Sequence, residues 1–277
     1  MKTVNESTGV ETPDTPDSGG SDAGSVPRTV AVAVGLGLLG PVIALVSTVG
    51  VGVATVSVEI PLVVSLLVGL FFGQYVAFGG LSVAYLRSRF DWSGVRSYLG
   101  VEVPTPREIG VVLGGWVALV ALLILTSVVV QTLSPTEPAP NQGAEFAMQN
   151  PAIIPLLIVV MFLVVGPCEE LLYRGVVQGR LREALPVVPS ILIASALFAL
   201  IHVMALTGGA SARLTTVAIL FVPSVVFGAV YEYTENIVVP SLLHGLHNAV
   251  LFTLLYVSLA YGDELEELAA ALLGGPV

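Results

Sequence analysis

The segment Cys168-Glu169-Glu170-Leu171-Leu172-Tyr173-Arg174 sets two carboxylates and a guanidinium at the edge of a long apolar run. An ionised side chain inside a membrane helix costs on the order of 2.5–3.5 kcal/mol on insertion scales, so groups retained there usually serve a purpose. On a helix Glu170 and Arg174 stand four apart on one face and neutralise one another. Glu169 is rotated from them by ~100° and points elsewhere, which makes it the candidate general base. Arg180 and Arg182 also allow a blander reading, the interfacial end of a span, but the next apolar segments supply matching polar groups.

Downstream, His202 closes Phe198-Ala199-Leu200-Ile201-His202 and is the only ionisable side chain between Glu183 and Arg213. His244, His247 and Asn248 fall in the run VVPSLLHGLHNAVLF, so all three histidines lie in apolar stretches of the last third of the chain. A single buried histidine is most often a packing residue; three on separate turns beside a glutamate are a constellation. His244 and Asn248 share a helical face and can offer a ring nitrogen and a carboxamide N–H to one point, the requirement of an oxyanion hole. His247, three residues from His244, reaches the same face by spacing.

Two chemistries for peptide hydrolysis fit this set. Glu169, His202 and His244 could hold Zn2+ with the fourth position left for a water whose pKa falls to about 7. Without a metal, Glu169 and His202 would polarise a water while His244 and Asn248 stabilise the oxyanion. Asn248 is a poor zinc ligand and serves as a donor in either case. The HExxH and GxSxG patterns of common soluble hydrolases are absent. Cys168 reads as a small packing residue.

The elements that must position these groups are apolar helices. The 277 residues are 55% hydrophobic and 11% charged, with a mean hydropathy of +0.92, so the chain carries more apolar surface than a soluble domain can hide. A span needs about 20 apolar residues. Runs at 29–57, 61–86, 109–133, 151–166, 189–206, 214–233 and 237–260 qualify or nearly do, predicting an all-α polytopic transmembrane bundle of six to eight helices, six of them clear spans. Gly166-Pro167 is expected to break or kink the chain just before the glutamates. Residues 1–26 read as a disordered acidic N-terminal tail, 27–260 as the bundle, and 261–277 as an acidic C-terminal tail. Arg87, Arg89, Arg96 and Arg107 draw the polar 87–108 loop, and with it the N-terminus and the active site, to the cytoplasmic side, with a cell membrane as the expected location. A net charge of −10 argues against nucleic acid as a partner.

EExxxR, FxxxH and HxxxN stand in order as Glu169-Glu170…Arg174, Phe198…His202 and His244…Asn248. With the lead-in Gly228 to Pro240, they resemble the CPBP family (CAAX protease and bacteriocin-processing) over about 151–255. At the lead-in, Glu235 and Val238 occupy places where that family often has glycine and an aromatic. The resemblance implies an intramembrane endopeptidase acting on a membrane-associated, CAAX-type prenylated protein or peptide, with Glu169 and His202 activating water, His244 and Asn248 forming the oxyanion hole, and Glu170 and Arg174 supporting the site. Two other classes remain compatible with charged groups in a bundle: a proton-coupled transporter and a non-enzymatic immunity or scaffold protein.

Overall fold

The structure, a computed structural model, describes residues 26–133 and 136–273. The expected disordered tail lies outside them apart from Val26. Among the described residues the chain forms nine helices: α1 (Val26–Val58), α2 (Val63–Arg87), α3 (Trp92–Leu99), α4 (Pro106–Leu133), α5 (Gln142–Gln149), α6 (Pro151–Arg182), α7 (Val187–Ala205), α8 (Ala210–Thr234) and α9 (Val238–Leu273). All except α3 and α5 are long and apolar enough to cross a membrane, which makes seven candidate spans. Large apolar side chains such as Val46, Val56, Leu125 and Leu254 point outward, as expected where lipid tails replace water. The acidic segment from 261, which the sequence allows as helix or tail, continues α9 as far as Leu273. Its Glu-, Leu- and Ala-rich end is made of strong helix formers.

Helix α6 is the centre of the bundle and packs against α1, α2, α7 and α9. It continues through Gly166-Pro167 as one helix, so the chain is not broken there. The helix widens to π geometry over Met161–Val165, just before Pro167, and again over Leu171–Gln178. Such local widening re-satisfies backbone groups where a proline cannot donate, and it keeps the glutamates inside one continuous helix. Tyr173 anchors α6 to α1 by donating its hydroxyl to the Gly37 carbonyl at 3.0 Å.

Glycine permits the closest crossing. A Cβ at Gly166 would stand 2.9 Å from Gly245 N, and one at Gly245 would stand 2.7 Å from the Phe162 carbonyl oxygen. Backbone atoms cannot rotate away, so α6 and α9 would have to separate, as in other small-residue crossings of membrane helices. Gly245→Ala is therefore expected to cost about 1–3 kcal/mol, the usual range for overpacking. A lower unfolding midpoint in detergent would show it; Gly262→Ala, where a Cβ meets nothing within 4 Å, is the control and should leave the midpoint unchanged.

On the polar face the 88–105 connection docks onto the turn between α8 and α9. Asp91 caps α3 by accepting from Gly94 N at 2.7 Å. The left-handed Gly100 (φ 62°) comes so close to Glu235 that a Cβ there would overlap its carbonyl oxygen at 1.6 Å. Leu99 O accepts from Ile237 N at 3.1 Å, and Asn236 Nδ2 donates to Glu102 O at 3.2 Å. Arg89 and Arg180 both pair with Glu183, and despite partial burial, which acts in the opposite direction, they hold its carboxyl below the ordinary carboxylate range. These ties fix where α9 begins and hence the depth of His244 along it.

Candidate active site

Glu170 and Arg174 form the ion pair expected from their spacing, at 3.1 Å with both side chains fully buried. The structure adds that Glu170 Oε1 also accepts from His244 Nδ1 at 2.8 Å. A carboxylate has no proton to give, so the bond fixes Nδ1 as the donor and sets the orientation of the ring. Arg174 Nη2 donates to both the carbonyl oxygen and Oγ of Ser224, each at 2.8 Å. Its guanidinium lies over Phe198 at 4.7 Å and Phe227 at 5.5 Å. His244 stacks on Phe227 with ring centres 4.7 Å apart and meets Phe198 edge-on. Helices α6, α7, α8 and α9 thus share one aromatic and ionic joint, and the apolar rings exclude water from the pair.

Glu169 points away from that pair, as its rotation on the helix requires. It is only 8% exposed, its Oε1 accepts from Gln74 Nε2 at 3.2 Å, and its Oε2 lies 3.9 Å from His244 Nε2. That separation is too long for a hydrogen bond, yet a water beside both atoms reaches each at ordinary distance. His202 lies in the short 3₁₀ turn that ends α7, its Nδ1 2.7 Å from the Phe198 carbonyl and its ring 4.7 Å from that of Phe198. The carbonyl can only accept, so Nδ1 carries the proton and Nε2 is left free as an acceptor. No hydrogen bond joins His202 to Glu169; the groups in close approach to Glu169 are His244 and Gln74. Asn248 is half-buried one turn beyond His244, and His247 is buried beside it.

Among the described residues no three His, Cys, Asp or Glu side chains stand together closely enough to hold a metal ion. A cavity of about 610 Å³ opens at the polar face between α3, α6 and α8. None of Glu169, His202 and His244 lines it, and three of its five acids, Glu183, Glu232 and Glu108, are already bonded to Arg89, Arg182 and Thr105 respectively.

Three residues of the site escaped the sequence reading. Gln74 carries a weak signal, a carboxamide in an otherwise apolar span. Ser224 and Phe227 carry none, because a serine and a phenylalanine in a membrane helix are ordinary.

Residues 151–250 match the family described as Type II CAAX prenyl endopeptidase Rce1-like. No curated protein and no solved structure matches the chain. The matched stretch contains Glu169, Glu170, Arg174, His202, His244 and Asn248; Gln74 and helices α1 to α5 lie before it.

Proposed function

We propose that this chain, whose match over residues 151–250 supports membership of the CPBP/CAAX protease family, is an intramembrane endopeptidase that cleaves a membrane-associated protein or peptide with a glutamate-activated water. The approach of a buried Glu169 carboxylate to within 3.9 Å of His244, inside a ring of apolar helices, carries the reading. Peptide hydrolysis needs a base next to a water and donors next to the developing oxyanion. The water sits between Glu169 Oε2 and His244 Nε2, one of its protons directed at Glu169. Its oxygen bonds to the scissile carbonyl carbon as one proton passes to Glu169. The Asn248 carboxamide on α9 donates to the oxyanion, joined by His244 Nε2 in the ring form that carries a proton on both nitrogens. Collapse breaks the C–N bond, and Glu169 returns its proton to the leaving amine.

The substrate class follows the family description, a prenylated C-terminal peptide held in the bilayer. The arginine-rich face bearing α3 is cytoplasmic in a cell membrane, which puts the polar end of α9, only six residues before His244, on the side where such substrates reside. The test is cleavage of a membrane-anchored peptide by purified protein in vesicles, prenylated against unprenylated. Proton flux through the wild type with no cleavage of either peptide would sink the reading in favour of transport. Chelation followed by dialysis should leave the rate within about twofold. A loss restored only by Zn2+ would instead assign water activation to a metal.

A further inference from the structure

We infer that Gln74, on α2 and outside the family-matched region, belongs to the hydrolytic machinery: its carboxamide fixes the Glu169 carboxylate and orients the water that Glu169 deprotonates. The inference rests on the proteolytic reading and extends it to a helix that the sequence motifs do not touch.

Two observations carry it. Gln74 Nε2 donates to Glu169 Oε1 at 3.2 Å, the one hydrogen bond made by that carboxylate among the described residues. Since a carboxylate only accepts, the amide orientation is forced and Gln74 Oε1 must face away from Glu169 Oε1. That Oε1 atom is buried and has no hydrogen-bond partner among the described residues. An unpartnered buried carbonyl costs about 1–3 kcal/mol, a cost that is relieved when a proton donor arrives. The donor that the chemistry brings to this place is the attacking water, which gives one proton to Glu169 and has a second to share. Gln74 lies in a ten-residue π-helical stretch, Phe71–Gly80. Such π-helical stretches are frequent at functional sites, and here one carboxamide reaches Glu169 beside the buried Ala77 and Phe78.

With Nε2 holding Oε1 of Glu169, the carboxylate has one rotational setting, and Oε2 is the oxygen left facing His244. Gln74 is thus a positioning residue for the base. Its effect belongs in kcat and not in substrate affinity, because the contact strengthens the transition state without touching the bound peptide.

The experiment measures cleavage of a membrane-anchored peptide by purified Gln74→Met, Gln74→Glu and Gln74→His beside wild type and Glu169→Gln. Methionine keeps the bulk and removes both polar atoms, and kcat is expected to fall about 10- to 100-fold with KM within twofold. Glutamate keeps shape and acceptor but places a second carboxylate against Glu169, so kcat falls further. Histidine keeps an N–H donor and recovers part of the methionine loss. In the Glu169→Gln background, Gln74→Met should add no further loss. Wild-type kcat in both Gln74→Met and Gln74→Glu, or a loss confined to KM, overturns the inference while an inactive Glu169→Gln leaves the protease reading standing. Full activity in Glu169→Gln overturns both. Equal unfolding midpoints in detergent confirm that each variant is folded, and if Gln74→Met unfolds, the isosteric Gln74→Glu decides.

Discussion

Glu169→Gln is expected to lower kcat for a membrane-anchored peptide by at least about 10³-fold while leaving KM and the unfolding midpoint close to wild type. The substitution keeps the volume of the side chain and an oxygen that still accepts from Gln74 Nε2, so the 3.2 Å contact to α2 survives and the helices have no reason to shift. It removes the group that takes the proton from water. General bases contribute typically 10²- to 10⁴-fold, and the upper part of that range applies here because 8% exposure leaves no bulk solvent to substitute as the base. Glu169→Asp should retain the chemistry but retract the carboxylate by about 1 Å, a misplacement that can cost about 10²-fold. Steady-state kinetics in vesicles with all three proteins gives the order glutamate, aspartate, glutamine. Glutamine at or above aspartate would remove Glu169 from the role of base.

How far this site was legible in the sequence depends on whether its residues sit at helical spacing within one segment. Glu170 with Arg174 and His244 with Asn248 are four apart, and the periodicity of a helix is enough to put each pair on one face. The contact of Glu170 with His244 joins residues 74 positions apart. It depends on the Gly166–Gly245 crossing, and a crossing angle is a tertiary fact with no local signature. The spacing equally allowed Glu169 to work with His202, whereas the fold puts His244 and Gln74 against it. Pro167 shows the opposite failure, a strong local signal overridden. Isolated proline breaks a helix, but here a π turn upstream and neighbouring helices on several sides keep the segment continuous. At Glu235 a departure from the family pattern became intelligible. Glu235 adopts the left-handed conformation with φ 51°, the backbone setting for which glycine is usually chosen. The turn into α9 is therefore kept at some backbone cost, stabilised by the docking of Leu99 and Glu102 onto Ile237 and Asn236.

Arg174→Met is expected to unfold the bundle or lower its stability by about 3–5 kcal/mol, the usual cost of removing one partner of a buried ion pair. Arg174 and Glu170 are both inaccessible, and the buried Glu170 carboxylate would be left with only the His244 N–H to stabilise it. The cost should be recovered largely by the double change Glu170→Gln with Arg174→Met, since a neutral pair of similar volume removes both desolvation penalties at once. Activity should not follow stability. In wild type the full negative charge of Glu170 draws the Nδ1 proton of His244 and holds its Nε2 towards Glu169. A neutral glutamine can still accept that proton, but a charge-assisted bond is roughly twice as strong as a neutral one, and the ring loses the stronger restraint. The double variant is therefore expected to melt within about 1–2 kcal/mol of wild type and yet cleave at least about tenfold more slowly, with the loss in kcat. Unfolding in detergent and kinetics on the same preparations separate the two effects. A double variant with wild-type turnover would reduce Glu170 to a packing partner for Arg174, and the orientation of His244 would then have to come from its stacking on Phe227 alone.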